Sequence, residues 1–122
     1  MVTSSDLAYV KDLVARFEFL RPLMDDHLAH YDEILSHLFF GDMTEYIISR
    51  HEEALLGDDA AQKEVDQLLA ALEEGYVSGD RDVKDLISDS FLENLPWREG
   101  ERGWDLREIL GPALSERLSL IG

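Results

Sequence analysis

The sequence predicts an all-α fold: an irregular bundle or short HEAT-like array of five to six helices, forming a single helical domain over residues 1–122. Three observations carry this. Apolar residues recur at spacings of three and four along most of the chain. No stretch alternates apolar and polar residues long enough to make a half-buried strand. Proline, glycine and capping residues break the periodic segments into helix-length pieces. The chain has 122 residues and a hydrophobic fraction of 45%, enough for a core without staples and too apolar for wholesale disorder.

The first helix is predicted from Ser5 to Leu20. Ser4 or Ser5 caps it, Asp6 sits at the positive end of its dipole, and Leu7, Val10, Leu13, Val14, Phe17 and Leu20 mark its apolar face. Pro22 breaks that helix and suits the first turn of a second, carried through Leu23, Met24, His27, Leu28 and Tyr31. Asp32 to Gly41 is too apolar for a free loop and reads as a short buried helical turn ending at Gly41. Asp42 with Glu45 resembles a capping box and starts the next helix, which Gly57 stops. Another helix follows Asp58 or Asp59, with a stripe of Ala61, Val65, Leu68, Leu69 and Leu72; Gly75 and Gly79 are expected to end it. His51 is expected on an exposed face.

The segment from Gly79 to Pro96 has the sharpest signature. Val83, Leu86, Ile87, Ser90, Phe91 and Asn94 fall on one helical stripe, and Asp82, Asp85, Asp89 and Glu93 fall on another. Like charges at this spacing cost a helix roughly 0.2–0.5 kcal/mol per pair, so folding alone does not call for the acidic row. The common explanation for such a row is a solvated face, and Asp80–Lys84 and Arg81–Asp85 offer local compensation. Beyond Pro96, Trp97 and Trp104 bracket a surface loop containing two glycines, with Trp97 partly buried. A last helix is predicted from Asp105, kinked or interrupted at Gly111-Pro112.

Net charge is −16, and residues 51–96 hold 13 acids against 3 bases. This disfavours direct binding to nucleic acid or to anionic membranes and favours a basic protein partner. Zero cysteines exclude disulfides, thiolate zinc sites and cysteine nucleophiles. No apolar run approaches the ~18 residues of a membrane span, and no signal peptide is visible, so a cytoplasmic location is expected. His27, His30 and His37 lie near Asp26, Asp32 and Glu33, but match no strong metal signature; local packing is the simpler reading of these imidazoles. No nucleophile elbow, phosphate-binding loop or dinucleotide fingerprint occurs. The expectation is a protein with no catalytic residue, cofactor or metal.

Three segments together resemble a known pattern: His27 to Asp42 (HLAHYDEILSHLFFGD), Ser90 to Leu95 (SFLENL) and Leu110 to Leu114 (LGPAL). Their order resembles a family of small, acidic, helical bacterial proteins of uncertain role, some of which resemble immunity partners of secreted polymorphic toxins. A proline often stands before the histidine in that pattern; here Ser36 precedes His37. The resemblance implies a binder that neutralises one cognate toxin by covering its active site, and the acidic charge makes a basic toxin the expected partner. It supplies no catalytic residues. The expected partner-binding residues are Asp82, Asp85, Asp89 and Glu93 on the acidic row, with Trp97, Glu99 and Trp104 on the adjoining loop. A helical adaptor binding another cellular protein is the alternative, followed by a small metal-dependent enzyme using the histidine-rich segment. A DNA mimic is a variant of the first reading.

Overall fold

Helix formation follows the apolar spacing, and the breaks fall where caps and φ constraints demand them. The computed structural model describes residues 4–121. Its elements are α1 (Ser5–Arg16), a 3-10 turn at Glu18–Leu20, α2 (Arg21–Tyr31), α3 (Ser36–Leu55), α4 (Asp59–Ser78), α5 (Arg81–Ser90), 3-10 turns at Leu92–Asn94 and Trp104–Ile109, and α6 (Pro112–Ile121). The fold is all-α, as expected.

Several boundaries are set by identifiable groups. Pro22 lies in the first turn of α2 and Pro112 opens α6, positions where a missing N–H costs nothing. Asp58 caps α4 by accepting from the Ala61 N–H at 3.0 Å, and Asp80 caps α5 by accepting from the Val83 N–H at 3.1 Å. Gly57, at φ +105°, makes the turn between α3 and α4. Asp32 takes the left-handed conformation (φ 60°) at the end of α2.

Other expected boundaries are overturned. The first helix stops at Arg16, because Phe17 turns extended and hands on to a 3-10 turn. No helix boundary occurs at Gly41 or Asp42: α3 runs unbroken from Ser36 to Leu55. The buried stripe of Phe39, Phe40, Met43 and Ile47 continues across Gly41, and its burial outweighs the roughly 1 kcal/mol that glycine costs a helix. Gly75 likewise lies inside α4, where it faces the Tyr9 hydroxyl from α1. A side chain there would collide with Tyr9, whose hydroxyl donates to the Ala71 carbonyl at 3.2 Å.

The helices close around one hydrophobic cluster with residues from all six, centred on Phe39, Phe40, Leu68, Leu72, Leu86, Ile87 and Phe91. Helix α3 packs most extensively on α4 and then on α5. Helix α1 packs on α5 and α3, far from it in sequence. A solenoid contacts only successive repeats, so this cross-contact makes the molecule an irregular bundle rather than an array. Polar seams brace it. Arg50 grips Glu64 with two bonds of 3.1 and 3.0 Å across the α3–α4 interface, and the Tyr46 hydroxyl donates to the same carboxylate. Glu73 of α4 accepts from the Ala113 and Leu114 N–H groups at 2.8 and 2.9 Å, capping α6 from a neighbouring helix.

Candidate protein-binding surface

Helix α5 is held by its apolar stripe. Val83, Leu86, Ile87 and Ser90 are buried, as is Phe91 just beyond the helix end. Asn94, expected on the same stripe, is exposed: α5 ends at Ser90, so its period no longer applies, and the Asn94 amide donates to the Ser90 carbonyl at 2.8 Å. With the apolar stripe turned inward, Asp82, Asp85 and Asp89 are exposed on the helix, and Glu93 is exposed on the 3-10 turn that extends it. Among the described residues, Asp82, Asp89 and Glu93 form no ion pair; Asp85 reaches Arg81 at 3.9 Å, with both side chains largely in solvent. The row is therefore sparsely compensated, and apart from the Arg81 contact its mutual repulsion is met by water and salt. Asp80, at the helix start, is different. A hydrogen bond from the Ser5 side chain and the bond from Val83 hold its carboxyl below the usual carboxylate range.

The tryptophan loop joins the end of this row. The Trp97 indole N–H donates to the Glu93 carbonyl at 3.2 Å. Trp97 is 45% exposed, more open than the sequence suggested. The reason is Arg107. Its guanidinium lies 5.0 Å from the Trp97 ring centre and 4.6 Å from that of Trp104, and its Nε and a terminal NH2 both donate to the Pro96 carbonyl. The rings thus pack on a cation at the surface rather than inserting into the core. Trp104 is half-buried, and Glu99 is exposed at the loop tip, with no hydrogen-bond partner among the described residues.

The structure therefore brings Asp82, Asp85, Asp89, Glu93 and Trp97 into one surface, links Trp104 to it through Arg107, and leaves Glu99 on the rim. Arg107 was not among the expected site residues; its place three residues after Trp104, one helical turn on, was the available signal. Arg102 was also missed. It donates to Glu45 at 2.8 Å and to Glu52 at 2.6 and 2.9 Å, anchoring the loop to α3 and holding the Glu52 carboxyl below its ordinary range. Those partners lie some fifty residues away, and nothing local reveals them.

The histidines do not converge. His27 is buried against Tyr31 and Phe39, and its Nε2 accepts from the Leu35 N–H at 2.9 Å, which places the proton on Nδ1. His30 is exposed, and His37 Nδ1 pairs with the Ser90 hydroxyl at 2.5 Å. His51, expected exposed, is buried and bonded through Nε2 to Asp105 at 3.0 Å, because the 3-10 turn at Trp104–Ile109 folds over it. Among the described residues, no three histidine or acidic side chains are arranged to hold a metal ion. No helix among them is long and apolar enough to cross a membrane.

A family model described as Domain of unknown function (DUF7674) matches residues 10–118, and the chain belongs to that family. The description names no activity and makes no link to toxin immunity. No curated protein and no solved structure matches the chain.

Proposed function

We propose that this member of the DUF7674 family is an immunity-type protein: a cytoplasmic, non-catalytic binder that neutralises one cognate bacterial toxin by covering its active site. The observation that carries the reading is the row formed by Asp82, Asp85, Asp89 and Glu93, exposed and barely compensated, ending at the exposed Trp97 ring. A basic partner relieves the repulsion along the row. Trp97 and Trp104, already stacked on Arg107, supply rigid aromatic area at small entropic cost. Charge complementarity sets the association rate, and steric occlusion does the inhibition. No cofactor, metal or nucleic acid enters this mechanism.

The test pairs capture with protection. The wild-type chain and an Asp82→Lys/Asp89→Lys variant are used to capture partners from lysate of the native organism at low and high salt. The captured partner is then expressed with and without each chain. The expected result is one basic partner, held by the wild type, weakened by salt, lost in the variant, and toxic unless the wild type is present. A partner that is harmless alone supports the adaptor reading and rejects the immunity one. A partner held equally by both chains removes the acidic row from the interface.

A further inference from the structure

Lysine and arginine are scarce in this chain, 11 against 27 acids, and two of the arginines are each spent on more than one carboxylate. Arg50 is paired with Glu53, Asp58 and Glu64, and Arg102 with Glu45 and Glu52. One cleft departs from this. It has a volume of about 310 Å³, opens between the end of α4, the flank of α5 and α6, and is lined by Tyr76, Arg81, Lys84, Asp85, Ser88 and Arg117. Among the described residues, neither Lys84 nor Arg117 has a carboxylate within ion-pair distance, yet both are half-buried. Three cations against Asp85 leave the lining with a net charge of +2 in a molecule of −16.

The cleft also holds a buried hydroxyl. Ser88 is 3% exposed and accepts from Arg117 Nε at 3.1 Å; this is its one side-chain hydrogen bond among the described residues. Its own hydrogen is free to turn toward the cleft, and the bond fixes the Arg117 guanidinium at the wall. Lys84 lies over the Tyr76 ring at 6.0 Å from its centre, which limits where the ammonium can swing. Arg81, Lys84, Asp85 and Ser88 share one flank of α5 by their spacing of three and four, next to the flank that carries Asp82 and Asp89.

The geometry points to an anion site, and specifically to one for a phosphate monoester. The dianion of such a group matches the +2 lining, a planar guanidinium offers paired N–H donors to its oxygens, and the hydroxyl of Ser88 adds a neutral donor. A phosphorylated small molecule and a phosphorylated side chain of a partner present the same group. The inference stands apart from the toxin-binding reading, since the free chain is enough to test it.

The experiment is a ¹H–¹⁵N NMR titration of the full chain with inorganic phosphate, at constant ionic strength maintained with sodium chloride. The expected result is saturable shifts confined to residues around Tyr76, Arg81 to Ser88 and Arg117. Lys84→Gln and Arg117→Gln should each weaken binding roughly ten-fold, the loss of one charge-assisted hydrogen bond. Lys84→Arg should keep it. Parallel titrations with adenosine monophosphate and O-phosphoserine assign the source: tighter binding of the nucleotide indicates a small molecule, tighter binding of phosphoserine a modified side chain. Should Arg117→Gln unfold, Lys84→Gln decides alone, because among the described residues Lys84 makes no side-chain hydrogen bond. Shifts that grow without saturation, or that are equal in the Lys84→Gln protein, overturn the proposal.

Discussion

Arg107 shows how one side chain can organise a surface. Its guanidinium serves two tryptophan rings and the Pro96 carbonyl at once, so the loop carrying Trp97 and Trp104 has a fixed shape despite its two glycines. Each exposed cation–π contact is worth about 0.5–1 kcal/mol and a charge-assisted hydrogen bond about 1.5–3, before solvent takes its share. Arg107→Ala should lower unfolding free energy by about 2 kcal/mol in denaturant melts and red-shift the fluorescence, because these are the only two tryptophans in the chain. Unchanged emission would mean that the rings are not held by this cation. Asp80 gives a second residue-level expectation. Its folded carboxyl is depressed by the Ser5 and Val83 bonds. Its contribution to stability is therefore present above the ordinary carboxylate range and is lost as pH falls through the depressed value. Melts of wild type and Asp80→Ala should differ most near neutral pH and converge as the solution is acidified. A gap that widens in acid would contradict this.

At the scale of the helix, two glycines that look alike in sequence have opposite roles. Gly41 lies within α3, and a Cβ there would meet nothing closer than the Asn94 amide nitrogen at 3.7 Å. Gly41→Ala should therefore stabilise the protein by up to about 1 kcal/mol. Gly75 lies within α4 under the Tyr9 hydroxyl, so Gly75→Ala should destabilise it by about 1–3 kcal/mol, with much of the loss recovered in a Tyr9→Ala background. Thermal melts of the four variants measure both signs. The same pair shows what could be read from the chain. The cap at Asp58, the turn at Gly57 and the start at Pro22 are local chemistry, and all were legible. The last helix, expected from Asp105 with a break at Gly111-Pro112, begins only at Pro112, because Trp104–Ile109 forms a 3-10 turn instead. Gly41 and Gly75 were misread as stops because their surroundings are tertiary: one is bridged by a continuous buried stripe, the other admits a distant tyrosine. The acidic row of α5 was legible for the same reason as its apolar stripe, since both follow from one period. Arg102, His51 and the exposure of Trp97 depend on groups brought in from elsewhere in the fold. Asn94 was misplaced because a helix period was carried past the helix end.

For the molecule as a whole, the charge of −16 is a standing cost that the bundle meets with a core drawn from all six helices. Surface repulsion is screened within about 10 Å at 0.1 M salt. The melting temperature should therefore rise when sodium chloride increases from about 0.01 M to 0.3 M. A fall over that range would show that attractive ion pairs such as those of Arg50 and Arg102 outweigh the repulsion. A uniformly acidic surface would need no particular orientation of its partner. Here the acidic row, the tryptophan loop and the cationic cleft lie side by side on and around α5, which gives that side of the molecule a polarity of its own. The most direct test of the proposed surface is hydrogen exchange on the chain alone and in complex with the partner it captures. Slowed exchange concentrated in residues 81–97 is the predicted result. Protection confined to other elements, with residues 81–97 exchanging as in the free chain, would contradict the claim that this protein binds through the acidic face of α5.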